Sequence, residues 1–166
     1  MKKIYIVGGT MGVGKTTTCQ ILKRKLENSV FLDGDWCWAM DPFIVNDETK
    51  NMVMDNITYL LNNFIRCSVY NNIIFCWVMH EQDIIDDLIS RLHADGCEVR
   101  VISLTCSKEA LEQRLEKDVV LGIRTEDVIK RSAERLHLYD RLNTSKIDVS
   151  DISPEEAANM IIKKYE

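Results

Sequence analysis

The sequence predicts a three-layer α/β domain in which a five-stranded parallel sheet is flanked by helices. Three observations predict it. Short apolar, β-branched runs recur along the chain, helical patterns separate them, and each run is near-continuously apolar, as a strand covered on both faces must be. The 166 residues suffice for one good core and are too few for two ordinary domains, so residues 1–166 read as a single domain.

The first strand is Ile4 to Val7. A helix over Lys15 to Glu27, with Ile21, Leu22 and Leu26 at helical spacing, begins directly at the glycine loop that follows. Val30 to Leu32 is the second strand. A longer helical pattern from Glu48 to Val69 carries Met52, Ile57, Leu60, Leu61, Phe64 and Ile65, and leads to the third strand, Ile73 to Val78. After a helix over Gln82 to Leu92 comes the fourth strand, Val99 to Leu104, then helices over Lys108 to Glu116 and Thr125 to Leu142. The fifth strand is Ile147 to Val149. Ser153-Pro154-Glu155-Glu156 starts the last helix, with proline in the first turn and acids at the positive end of the dipole. No repeat, low-complexity tract or flexible linker interrupts the pattern.

Composition narrows the function classes. With 46% hydrophobic and 28% charged residues the chain has the make-up of a folded globular protein. A net charge of -5 and a pI near 5.3 leave no basic excess for a polynucleotide backbone, so nucleic acid is not expected as a partner. The apolar run Ile4-Tyr5-Ile6-Val7 is too short for a signal segment or a membrane span; a cytoplasmic protein without a membrane partner is expected. Six cysteines (Cys19, Cys37, Cys67, Cys76, Cys97, Cys106) stand singly without C-x-x-C spacing, as reduced core thiols do and zinc or redox sites do not.

The strongest chemical signal is G-x-x-x-x-G-K-[ST], met by Gly9-Thr10-Met11-Gly12-Val13-Gly14-Lys15-Thr16, with Thr17 next in the same helical turn. Glycines let the chain curl so that several backbone N–H groups face one anion, and the new helix adds unpaired amides and its positive end. Lys15 reaches the β and γ phosphates of a nucleoside triphosphate, ATP, and the Thr16 hydroxyl ligates Mg²⁺. The bland alternative, a glycine turn with a chance Lys-Thr, does not account for the strand before it and the helix after it. Gly8 and Gly12 are extra to the motif and are expected only to loosen the turn.

A second signal is Leu32-Asp33-Gly34-Asp35-Trp36. Ligands of parallel sheets sit outside the carboxyl ends of strands, and the second strand should end beside the phosphate loop. Asp33 and Asp35, two apart on extended backbone, would point the same way. Two carboxylates there suit separate roles, one on metal-bound water and one accepting the proton of an attacking hydroxyl. The alternative is an ordinary strand end followed by an Asp-Gly turn.

Together, Gly9 to Thr16, Leu32 to Asp35 and the late segment Ser107 to Arg135 resemble the small P-loop kinases that include shikimate kinase, gluconate kinase and the nucleoside monophosphate kinases. The resemblance spans nearly the whole chain. It implies the P-loop NTPase fold with strand order 2-3-1-4-5 and a small mobile lid, placed within about residues 117–127. It assigns Asp33 to the metal and Asp35 to the substrate hydroxyl as general base. Ala110 to Leu115 is similar to the helix entering the lid and Val119 to Arg124 to the lid itself. Arg114 is then expected against the adenine or the phosphates, and Arg124 on the transferring phosphoryl charge. Arg131 and Arg135 follow at i, i+4 spacing as substrate contacts, where the alternative is a solvated helix face.

Departures from the family pattern concern the acceptor. Lys117-Asp118 stands where many relatives carry a second lid arginine, which implies weaker phosphate contacts there. The third strand ends Trp77-Val78-Met79-His80-Glu81, without a glycine run, so His80 is a candidate substrate contact, with a structural histidine as the alternative. Trp36 to Phe43 forms part of the expected acceptor wall, where its aromatics would stack on a flat or cyclic molecule or else pack against the lid.

The resemblance implies an ATP-dependent phosphotransferase whose partners are a nucleotide and a small hydroxylated acceptor, working as a monomer or weak homodimer. Nucleoside or nucleotide acceptors are the nearer alternative. A non-kinase ATPase or GTPase switch is the more distant one, and the absence of an N-K-x-D base-reading motif speaks against it.

Overall fold

A computed structural model describes all residues from Met1 to Glu166. Five strands form one all-parallel sheet: β1 (Lys3–Gly8), β2 (Ser29–Asp33), β3 (Asn72–Trp77), β4 (Glu98–Thr105) and β5 (Ser145–Asp148). Their order is β2-β3-β1-β4-β5, as the resemblance implies. The helices are α1 (Lys15–Lys25), α2 (Asp47–Arg66), α3 (Gln82–Ser90), α4 (Lys108–Val120), α5 (Asp127–Arg135) and α6 (Pro154–Tyr165). None is long and apolar enough to cross a membrane.

The near-continuous apolar runs have the expected cause. On β1, Ile4 and Ile6 enter a core with Val53, Ile57, Leu61 of α2 and Ile85, Leu88 of α3. Tyr5 and Val7 enter the opposite core, with Cys19 and Leu22 of α1 and Ala157, Ala158 and Ile161 of α6. Successive residues of a strand face opposite sides, so a sheet covered twice needs apolar side chains at every position. All six cysteines are free thiols; Cys19 and Cys76 are fully buried and the other four are half-buried.

Local signals set several ends. Ser153 and Glu156 form a capping box at the start of α6, and Asn46 with Thr49 does the same for α2. Two late helices differ from expectation. α4 continues to Val120 and ends in a Schellman turn, with Gly122 N–H on the Val119 carbonyl and Ile123 N–H on the Asp118 carbonyl, both 2.9 Å. Gly122 supplies the left-handed φ of +72° this turn requires. The connection between the two helices is therefore shorter than the 117–127 lid segment expected. The single helix expected over Thr125 to Leu142 also breaks. α5 stops at Arg135 and the chain tightens into a 3₁₀ helix, Leu136–Arg141, the Leu136 amide bonding to the Ala133 carbonyl.

α4 and α5 have a small core of their own, Leu111, Leu115 and Val128, against which Met11 of the phosphate loop packs. α4 and α5 thus rest on the loop after β1.

Candidate functional site

The phosphate loop joins β1 to α1. Gly14 is the N-cap of α1 and offers no capping side chain, so the first-turn amides of Lys15, Thr16 and Thr17 remain available to an anion at the positive end of the helix. Lys15 is buried and its Nζ donates to the Thr10 carbonyl (3.0 Å). Burial pushes its ammonium below the ordinary lysine range; Cys76, Asp35, Asp33 and Cys19 act in the other direction.

Gly12 does more than loosen the turn. Its φ is +86°, and a Cβ there would lie 2.4 Å from Leu115 Cδ2, so any other residue strains the backbone and displaces Leu115 of α4. Two further ties bind the loop to distant segments. Thr10 Oγ1 donates to the Ser132 carbonyl (2.9 Å), both residues being buried. Arg114 donates to the carbonyls of Val13 (3.5 Å), Val149 and Ser150 (3.3 Å), stapling the loop to the segment after β5. Its guanidinium, expected on adenine or phosphate, spends these donors on backbone while still lining the cavity over the loop.

Asp33 and Asp35 are not related by strand alternation. β2 ends at Asp33, and Gly34–Trp38 is a 3₁₀ helix that Asp33 caps, its Oδ1 accepting from the Asp35 amide (3.0 Å). The other oxygen, Oδ2, accepts from Thr16 Oγ1 at 2.6 Å. Thr16 and Asp33 therefore present adjacent hard oxygens beside Lys15, a donor set that suits Mg²⁺, which takes one or two protein ligands plus phosphate and water. No cluster of three or more His, Cys, Asp or Glu offers an all-protein metal cage. Asp35 is open to solvent on its cavity side, and partial desolvation by the wall around it, then the neighbouring Asp33, raises its carboxyl above the ordinary range; Lys15, Arg124 and the Trp77 indole oppose this.

Two cavities meet at Asp35. One, about 440 Å³, is lined by Gly12, Gly14, Lys15, Thr16, Thr17, Arg114, Lys117 and Arg124. The other, about 490 Å³, is lined by Thr10, Met11, Trp38, Phe43, Val78, Arg131, Ser132 and Arg135. Asp35, Met11 and Val78 line both. Arg124 reaches the first, held by Asp118 Oδ2 at 2.9 Å, and Lys117 lines it as well.

Of the loop, Met11, Gly12 and Gly14 to Thr17 thus line the first cavity with Arg114 and Arg124, Gly9 and Val13 line neither, and Thr10, Arg131 and Arg135 face the second. Two expected acceptor residues stand apart from it. Trp36 is exposed and packs edge-to-face on Phe31 (5.3 Å), because the 3₁₀ turn sends Trp36 and Trp38 to different sides. His80 is three residues beyond the end of β3 and half-buried, with Nδ1 enclosed and without a hydrogen-bond partner; Val78 lines the cavity instead. Burial and then Arg135 hold its imidazole below the ordinary range. Ser132 and Val78 carry no signal in the sequence that would have selected them.

Residues 6–137 match the family described as AAA domain. The chain belongs to this family. No protein of curated function matches it in sequence. Solved structures share its fold along nearly the whole length. The tunicamycin resistance protein of Deinococcus radiodurans is 18% identical with a TM-score of 0.71, covering 99% of this chain and 95% of that one. A gluconokinase from Sinorhizobium meliloti is 15% identical with a TM-score of 0.63, at 99% and 98% coverage. The APS kinase of Mycobacterium tuberculosis, in complex with AMPPNP and APS, is 14% identical with a TM-score of 0.61, at 98% and 96% coverage. The fold is that of small P-loop kinases.

Proposed function

We propose that this protein is a kinase that moves the γ-phosphoryl group of ATP to a small hydroxylated acceptor. The observation that carries the reading is the position of Asp35 on the wall common to the two cavities, one built on the phosphate loop and the other on α5 and the segment after β2. A carboxylate between a nucleotide and a second molecule is where the proton of an attacking hydroxyl must go.

In this mechanism the loop amides and Lys15 hold the β and γ phosphates, and Thr16 and Asp33 would hold Mg²⁺. The metal, when bound, supplies positive charge to the phosphate oxygens. The acceptor oxygen forms a bond to the γ-phosphorus as its proton passes to Asp35. The bond between that phosphorus and the β–γ bridging oxygen breaks, and ADP leaves with the electron pair. Lys15 and Arg124 balance charge on the moving group, and Lys117 adds to the same field. α4 and α5 keep water from the transfer by resting on the loop through Gly12 and Met11.

A library of metabolites and nucleosides screened for ATP consumption, with Lys15→Ala as the control, tests the reading. An acceptor that raises turnover in the natural protein and not in the control supports it. Hydrolysis indifferent to every small molecule and stimulated by a protein would replace it with a nucleotide switch.

A further inference from the structure

The acceptor cavity has a chemical bias of its own. Arg135 is half-buried and makes no ion pair or side-chain hydrogen bond with any protein group, although five N–H donors in a partly dry wall call for acceptors. Arg131, one turn earlier on the same face, meets only the exposed Asp127, at 3.7 Å. Asp35 is the sole acidic residue lining this cavity, and it lies at the nucleotide end. Two guanidinium groups are thus gathered in one pocket of a chain whose net charge is -5. The paired forks match one doubly charged tetrahedral anion better than a neutral hydroxyl array.

The opposite wall is apolar. Trp38 and Phe43 pack with ring centroids 5.9 Å apart at 54°, and both line the cavity, yet Phe43 remains 66% exposed. Met11 and Val78 continue this surface towards Asp35. Aromatic side chains lining the same cavity as Arg135, which has no partner, and Arg131, which has only an exposed one, are the complement of a flat ring carrying an anion.

We propose that the acceptor is a ring-bearing phosphomonoester, its phosphate held by Arg131 and Arg135, its ring against Trp38 and Phe43, and its reacting oxygen directed at Asp35. This rests on the kinase reading and narrows it. Arg131 and Arg135 serve the group the acceptor already carries, whereas Lys15 and Arg124 serve the group being transferred. A neutral polyol of similar size leaves the Arg135 guanidinium without an anionic partner and binds poorly.

The test is calorimetric titration of the intact protein, loaded with a non-hydrolysable ATP analogue, with phenyl phosphate, phenol and inorganic phosphate. Phenyl phosphate is expected to bind at least about tenfold tighter than either fragment, and Arg135→Gln to weaken it about tenfold to a hundredfold, the value of a charge-assisted hydrogen bond. Arg135→Lys, which keeps the charge and loses the planar fork, should recover part of that loss. Trp38→Ala should weaken phenyl phosphate and leave inorganic phosphate unchanged. Thermal melts confirm that each variant is folded. Phosphoryl transfer to a neutral sugar with kinetics unchanged by Arg135→Gln would overturn the proposal and leave the kinase reading intact. Arginine-dependent binding of phenyl phosphate without transfer to any acceptor in the library would sustain the anion subsite and count against the kinase.

Discussion

Replacing Thr10 with valine probes how the phosphate loop is fastened to α5. The two side chains nearly match in shape, so the change removes a hydroxyl and little volume. Thr10 and Ser132 are 1% and 3% exposed, and the bond between the Thr10 hydroxyl and the Ser132 carbonyl is 2.9 Å long. In a continuing α-helix that carbonyl would accept the Leu136 amide, but Leu136 has turned to Ala133 at the start of the 3₁₀ segment. Valine therefore strands a buried carbonyl, at a cost of about 1–3 kcal/mol. At roughly 2–4 °C per kcal/mol for a chain of this size, the unfolding midpoint should fall by about 2–12 °C. Thr10→Ser keeps the hydroxyl and should recover most of the loss. Circular dichroism melts read the midpoint, and hydrogen exchange should show weaker protection of the amides around 132–136 in the valine protein alone. A valine variant that melts within about 1 °C of the natural protein, with unchanged exchange in α5, refutes the idea that this bond holds the helix on the loop.

Other perturbations have equally definite outcomes. Lys15→Ala should weaken ATP about a hundredfold or more in an equilibrium titration, since a buried ammonium facing the phosphates is lost. Gly12→Ala places a methyl 2.4 Å from Leu115 Cδ2 at a φ of +86°, and urea unfolding should register a loss of about 2–5 kcal/mol from overpacking and left-handed strain. Asp35→Asn should spare nucleotide binding and remove transfer to any confirmed acceptor; full transfer activity in this variant would exclude Asp35 as the base. The same variant carries a stability signature. Because partial desolvation and Asp33 raise the Asp35 carboxyl, its ionised form destabilises the fold above that raised value, and the penalty disappears below the unfolded-state range. Asp35→Asn should hence melt higher than the natural protein at neutral pH, with the gain fading as the solution is acidified through the carboxylate range. A pH-independent difference would contradict this.

The residues divide by how local their determinants are. The strands β1 to β4 were legible because burial on both faces leaves a largely apolar run, whereas the edge strand β5 buries only Ile147 and begins at Ser145, two residues before the expected Ile147; Ser153 and Glu156 announced α6 because a capping box closes within four residues. The phosphate loop was legible for the same reason: Gly9 to Thr16 carries its glycines, cation and hydroxyl in one contiguous turn. The relation of Asp33 to Asp35 was not, since a 3₁₀ turn begins between them and replaces strand alternation with a cap. Nor did periodicity show that α5 would stop at Arg135, because the carbonyl released there is taken by Thr10, 122 residues earlier in the chain.

The sequence by itself determined a doubly covered parallel sheet and a P-loop, since each rests on short-range backbone geometry and on burial patterns written along the chain. Only the tertiary structure decided which cavity each arginine enters, that Trp38 and Phe43 rather than Trp36 and His80 line the second cavity, and that Asp35 lies between the two cavities. Those outcomes depend on how β3, α4 and α5 pack around the loop after β1, and the spacing of residues within any one segment carries no record of that packing.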